Sequence, residues 1–260
     1  LSRRRRIAAV LALALAAALL LSTAALAATP AADAEGPPQE AGAPGESGSG
    51  GAGVPARPNE LLLFHGGSFL YEDPSFEPLT RERALAAGFV PHYVNYPLDD
   101  LTGAVATARE EARRLREKYG LDRVYAYGSS AGGTLASLLA AEGLVGAAVA
   151  KAPVSDLLTW EWPIAQYGAA YWEGLGVDTA QRERFSPALR EFISPLLVVQ
   201  GRSDMVVPPA MNETFAAEHG RVALWRVAGG HHTDRARPYL VTRAMAWLAS
   251  IAKRVQAGTL

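Results

Sequence analysis

The chain has 260 residues, 49% hydrophobic and 20% charged, with a formal net charge of −1. That is enough apolar material for one domain with a sizeable core, and no basic stripe points to nucleic acid. The absence of cysteine removes disulfides, thiol catalysis and cysteine–zinc sites together.

Four arginines, Arg3 to Arg6, precede an almost pure Ala/Leu/Val run from Ile7 to Leu21, and Ala25-Leu26-Ala27 fits an A-x-A cleavage site. Residues 1–27 therefore read as an export signal, which predicts an extracellular or periplasmic protein with no membrane association after cleavage. The alternative is an uncleaved N-terminal membrane anchor. Residues 28–59 are rich in Pro, Gly and Ala, with a Gly/Ser tract at 48–53. Such a segment cannot bury enough apolar surface to offset its ordering entropy, and it reads as a disordered linker.

From residue 60 to 256 the pattern alternates. Leu61 to Phe64 predicts a short buried strand, and a helix from about Phe76 ends near Gly88. Phe89 to Tyr93 predicts a strand weakened by Pro91. Leu101 to Tyr119 is an amphipathic helix stopped at Gly120. Val124 to Tyr127 is a strand and Ala131 to Glu142 a small-residue helix. Val145 to Ala150, Leu196 to Gln200 and Val222 to Val227 complete six strands, and Pro209 to Glu218 and Pro238 to Gln256 predict two more helices. Strands alternating with helices imply an α/β domain whose mostly parallel sheet is covered on both faces. Ligands of such sheets bind beyond the carboxyl ends of the strands. Residues 153–195 interrupt the rhythm and predict a small cap insertion. They hold Trp160, Trp162, Tyr167, Tyr171 and Trp172. These rings either pack the cap or line the substrate site, and Trp160, Trp162, Tyr167 and Trp172 are the candidates for substrate contact.

Gly128-Ser129-Ser130-Ala131-Gly132 is a G-x-S-x-G pentapeptide between a predicted strand and a predicted helix, a mount for a nucleophilic serine at residue 130. Ser129 is expected to face the protein. Acyl transfer by serine also needs a base, a carboxylate that orients it, and donors for the oxyanion. Asp204 follows the strand ending at Gly201 and is the acid candidate. Asp156, after an earlier strand, is the weaker alternative. His231 and His232 follow the Ala228-Gly229-Gly230 turn. His231 is preferred as base because it projects first from the turn, and His232 is the alternate. No H-E-x-x-H motif or carboxylate cluster accompanies the pair, so no metal is expected. The loop His65-Gly66-Gly67-Ser68-Phe69 follows the first strand. Oxyanion donors are expected at Gly66 or Gly67 and at Ala131, with His65 shaping the loop. The order Ser, Asp, His suits a hydrolase sheet.

These residues resemble the α/β-hydrolase superfamily over about residues 60 to 255. His65-Gly66-Gly67 and Asn95-Tyr96-Pro97-Leu98 are similar to HGG-motif esterases and lipases, of the hormone-sensitive-lipase-like and feruloyl or acetyl esterase groups. Gly201 to Pro208 and Val154-Ser155-Asp156-Leu157 resemble the same group and its prolyl-oligopeptidase relatives. Ser68 stands where a third glycine is common. The resemblance implies a cofactor-free serine esterase acting on a small ester, with acylated carbohydrate among the candidates. A serine exopeptidase and a non-catalytic binding protein on the same scaffold are the competing expectations. Oligomeric state is left open.

Overall fold

The structure is a computed structural model and describes residues 58–231 and 233–260. The expected signal segment, the linker up to residue 57, and His232 lie outside the described residues.

Among the described residues, six strands form one sheet: β1 (Asn59–Phe64), β2 (Phe89–Tyr93), β3 (Val124–Ser129), β4 (Ala148–Lys151), β5 (Leu196–Gly201) and β6 (Val222–Val227). Their order is β2-β1-β3-β4-β5-β6, and every pairing is parallel. Pro91 is tolerated because β2 is an edge strand paired only to β1. The chain leaves β1 in one direction to make β2 and returns on the other side to make β3. The order therefore reverses between β1 and β3, and sheets of this kind bind ligands beyond the strands' carboxyl ends at such a point.

Alternation along the strands sorts the core into two halves. Leu62 and Phe64 of β1 join one apolar cluster, and Leu61 and Leu63 join the other. The first cluster packs under α2 (Leu101–Tyr119) and α3 (Ala131–Ala141), with Phe215 of α7 (Pro209–Glu218). The second packs under α1 (Phe76–Ala86) and α9 (Tyr239–Gln256), with Leu240, Ala244, Met245 and Leu248 pointing inward. Each large aliphatic side chain so buried stabilises the domain by roughly 1.5–3 kcal/mol relative to exposure.

Local signals explain the boundaries. Asp100 caps α2 by accepting from the Gly103 amide at 2.8 Å. Gly120 ends it at φ 94°, where a side chain would be strained. All eleven residues of α3 are buried, which is why its small-residue sequence carries no polar face. β4 begins later than the apolar run suggests and extends one residue further, to Lys151.

The 153–195 insertion holds three short helices, α4 (Trp162–Tyr167), α5 (Tyr171–Gly174) and α6 (Thr179–Arg184). It rests on the α2/α3 face. Trp160 and Trp172 are buried, at 2% and 7% exposure, within the first cluster.

Candidate active site

Ser130 sits between β3 and α3 at φ 52°, ψ −118°. A non-glycine residue at positive φ is strained, and two glycine contacts show what holds it there. A Cβ on Gly128 would lie 2.0 Å from the Gly132 carbonyl oxygen, and one on Gly132 would lie 2.2 Å from the Phe64 carbonyl oxygen. The turn is thus pressed against the end of β1, and only glycine fits at either position. The Ser130 amide donates to the Lys151 carbonyl at 2.8 Å, which anchors the turn on β4.

His231 reaches the serine from the turn after β6. Its Nε2 lies 3.0 Å from Ser130 Oγ, and its Nδ1 lies 2.8 Å from Asp204 Oδ2. Asp204 Oδ1 accepts from the amides of Val206 (2.9 Å) and Val207 (3.0 Å). Its Oδ2 also accepts from Gln200 Nε2 at 3.2 Å, and Asn212 Nδ2 donates to Gln200 Oε1 at 2.6 Å. The carboxylate is therefore fixed in rotation, and it presents one oxygen to the imidazole.

The electrostatics follow from this packing. Burial pushes the Asp204 carboxyl up, but the His231 hydrogen bond and charge and the Val207 and Val206 amides outweigh it, so it stays below the usual carboxylate range. Burial lowers the His231 pKa, and the Lys151 charge adds to that. The hydrogen bond to Asp204 and the charges of Asp204 and Asp234 oppose them without reversing the direction. His231 is thus neutral near pH 7, the state a base requires.

The loop after β1 lies against the serine. A Cβ on Gly66 would meet the Ser129 carbonyl oxygen at 3.2 Å and the Ser130 Cβ at 3.4 Å. Gly67 has φ 119°, and a Cβ there would overlap the Tyr71 carbonyl oxygen at 1.8 Å. Ser68 and Phe69 continue at φ 54° and 59°, so serine at the third position adopts the left-handed conformation that glycine usually fills. Phe69 is fully buried, and Tyr171 of the insertion donates its hydroxyl to the Ser68 carbonyl at 2.7 Å. These contacts hold two strained residues in place. His65 shapes the loop. Its ring stacks on Tyr96 at 4.2 Å, the Tyr96 hydroxyl donates to the His65 carbonyl at 2.7 Å, and burial lowers its pKa.

The structure thus brings Ser130, Asp204, His231, Gly66, Gly67 and Ala131 to one edge of the sheet. Asp156 does not join them. Its carboxylate accepts from the Leu158 amide and the Thr159 hydroxyl and closes its own turn. The aromatic candidates divide. Trp160 and Trp172 are core residues: the Trp160 indole donates to the Val206 carbonyl at 2.7 Å, and Arg182 lies over the Trp172 ring at 5.0 Å. They present no surface to a substrate, because aromatic rings in a small insertion supply its own core. Trp162 and Tyr167 remain half-buried on α4, with rings 5.6 Å apart.

Four positions were not evident from the sequence: Gln200, Asn212, Lys151 and Asp234. Only Lys151 had a signal, a lone cation ending an apolar strand run.

The all-parallel sheet, the helices on both faces and the serine mounted between β3 and α3 define an α/β-hydrolase. The chain belongs to the prolyl oligopeptidase family, a family of serine hydrolases, whose model matches residues 93–254. That span contains Ser130, Asp204 and His231 but not the loop at 65–67. No curated protein matches the chain. Among solved structures it is similar to an acetyl ester-xyloside bifunctional hydrolase from Caldicellulosiruptor lactoaceticus (TM-score 0.63, 19% identity, 80% of this chain and 86% of that one). It is also similar to a hyperthermophilic esterase from the archaeon Pyrobaculum calidifontis (TM-score 0.62, 20% identity, 77% and 78%). A third is the propionate-bound esterase Est2 of the planctomycete Thermogutta terrifontis (TM-score 0.61, 23% identity, 80% and 87%).

Proposed function

We propose that the protein is an exported esterase that cleaves small carboxylic esters through a Ser130–His231–Asp204 triad and an acyl-enzyme. The observation that carries this is the continuous chain of contacts from Ser130 Oγ through His231 to Asp204, at 3.0 and 2.8 Å. His231 Nε2 takes the Ser130 proton as Oγ bonds to the ester carbonyl carbon, and the Nδ1 proton stays hydrogen-bonded to Asp204. In this reading the amides of Ala131 and of Gly67 or Gly66 donate to the developing oxyanion. Collapse of the tetrahedral species breaks the bond to the alcohol, which leaves with the proton from His231. Water then releases the acid by the same steps in reverse roles.

The substrate class rests on two supports: the HGG loop of the esterase-like groups and the esterases among similar structures. One of these is named for an acetyl ester-xyloside activity, which places acetylated carbohydrates among the first compounds to try. Export rests on the basic run Arg3 to Arg6, the apolar stretch and the Ala25-Leu26-Ala27 exit.

Family membership favours one other reading, a serine exopeptidase of prolyl-oligopeptidase type. Such an enzyme needs an anchor for a charged peptide terminus. Glu161 and Glu173 are the acidic residues flanking α4 and in α5, and both are exposed. Parallel assays on p-nitrophenyl acetate and on aminoacyl anilides separate the two. The esterase reading expects ester turnover with little anilide cleavage. Ser130→Ala should lower ester turnover by at least ~10³-fold, and wild-type turnover in that variant would refute the triad.

A further inference from the structure

We infer that Lys151 is a positioning residue that holds the His231 turn against Ser130, with Asp234 as its counter-ion. The inference rests on the serine-hydrolase reading of Ser130 and His231 above.

The argument starts from the sheet. β3 delivers Ser130, β5 delivers Asp204, and β4 lies between them and supplies no triad member. Its last residue, Lys151, is in register with Ser129 on one side and Val199 on the other. From that point Lys151 touches both halves of the machinery. Its carbonyl accepts the Ser130 amide at 2.8 Å. Its ammonium donates to the His231 carbonyl and lies 2.9 Å from an Asp234 carboxylate oxygen. One side chain and one backbone group of one residue thus tie the nucleophile turn to the base turn.

The site is built for this task. Lys151 is 3% exposed and Asp234 6%. Burying an ammonium costs more than a lone partner returns unless a hydrogen bond also satisfies it, and here the His231 carbonyl accepts from it while the Asp234 carboxylate stands at ion-pair distance. Asp234 lies in the short helix α8 (Thr233–Ala236), directly after the His231 turn. Thr233 Oγ1 closes that turn on the Ala228 carbonyl at 2.7 Å. Arg235 of α8 also donates to Asp73 at 2.7 Å, in the segment that follows the oxyanion loop. The base turn is therefore pinned from two sides, and Lys151 holds it at the His231 carbonyl. The strand end is anchored on β5, since Ala152, at φ 45°, donates its amide to the Val199 carbonyl at 2.8 Å.

Among the described residues, the charged groups that act on His231 are Asp204 from the turn after β5, Lys151 from β4 and Asp234 from α8. The Lys151 charge lowers the His231 pKa and the Asp234 charge raises it. This gives the two partners opposite signatures.

The test uses the full chain, with p-nitrophenyl acetate as substrate. Lys151→Met should lower kcat roughly 10- to 100-fold with KM little changed, the size of effect a misplaced base produces. It should also move the acid limb of kcat/KM to higher pH. Asp234→Asn should move that limb to lower pH. The Lys151→Met/Asp234→Asn double variant removes both buried charges, so its melting temperature should recover towards wild type while kcat stays low. Melting temperature and circular dichroism report folding, and if Lys151→Met does not fold, the other two variants carry the test. Wild-type kcat and an unmoved acid limb in a folded Lys151→Met, or full kcat recovery in the double variant, overturn the inference. A wild-type protein inert towards both the ester and a fluorophosphonate probe instead overturns the serine-hydrolase reading, before any variant is made.

Discussion

Replacing Asp204 with asparagine keeps the shape of the side chain and reverses one hydrogen-bonding valence. The carboxylate accepts four bonds: Val206 and Val207 amides on Oδ1, His231 Nδ1 and Gln200 Nε2 on Oδ2. All four partners are donors in this arrangement. An asparagine has one acceptor oxygen and one NH2 group, so either orientation turns donors against donors. If the NH2 faces the Val206 and Val207 amides, two backbone donors are left unsatisfied in a buried site. If it faces His231, the imidazole must take the other tautomer, with Nδ1 accepting and the proton on Nε2. That proton then points at Ser130 Oγ, and His231 cannot take the serine proton. Unsatisfied buried donors cost about 1–3 kcal/mol each. The second arrangement avoids most of that cost and should prevail, so the protein folds with the wrong tautomer. The expected loss in kcat is ~10⁴-fold, the scale seen for such a change in a serine protease triad, equivalent to about 5.4 kcal/mol in the barrier. The assay is steady-state hydrolysis of p-nitrophenyl acetate at pH 7–8, with melting temperature measured alongside. A folded Asp204→Asn protein within ~10-fold of wild-type kcat would refute this account of Asp204.

The burial of His231 and the packing of the β3–α3 turn carry three further expected outcomes. Because burial lowers the His231 pKa below its ordinary 6.5, kcat/KM should be flat near neutrality and fall only as pH drops below about 6.5, where the imidazole of the free enzyme gains its proton; an acid limb centred above pH 7 would contradict this. The same sign applies to stability. The unfolded chain takes up the His231 proton first, so the contribution of the neutral buried ring is present above pH 6.5 and lost as pH falls through the lowered value. Gly128→Ala should abolish activity and destabilise the fold by more than ~3 kcal/mol, because its Cβ would overlap backbone atoms of Gly132 at 2.0 and 2.3 Å rather than a movable side chain. Wild-type melting temperature and turnover in Gly128→Ala would show that the β3–α3 turn is looser than the structure has it.

The sequence made the repeating frame legible because periodicity and punctuation agreed. β2, α2, β6 and α7 begin and end where the apolar patterns and the flanking Gly and Pro residues place them. β4 was harder. Val145 to Ala147 continue the apolar run, yet only Ala148 to Lys151 pair as strand, because hydrophobicity marks burial and not ladder formation. The same limit applies to the insertion. Three tryptophans and two tyrosines read equally well as packing or as a binding surface, and only the tertiary structure separates buried Trp160 and Trp172 from half-buried Trp162 and Tyr167.

The candidate site divides along a similar line. Residues that follow a strand end through a glycine turn, such as Ser130, His231 and the Gly66-Gly67 loop, carry their position in the local sequence. Residues that act from elsewhere in the chain carry no local sign of the partner they meet. Asn212 steadies Asp204 through Gln200, which stands twelve residues before it in the chain, Tyr171 holds the Ser68 carbonyl from the insertion, and Lys151 meets His231 from 80 residues away. The parallel sheet explains why these supports converge. Every strand ends at the same edge, so any polar side chain at a carboxyl terminus is a neighbour of the chemistry whatever its place in the chain. A buried lysine at such an end is therefore better evidence of involvement with the site than a buried lysine elsewhere in the fold. Its desolvation has to be met by the groups nearby, and at this edge those groups belong to the turns carrying Ser130 and His231.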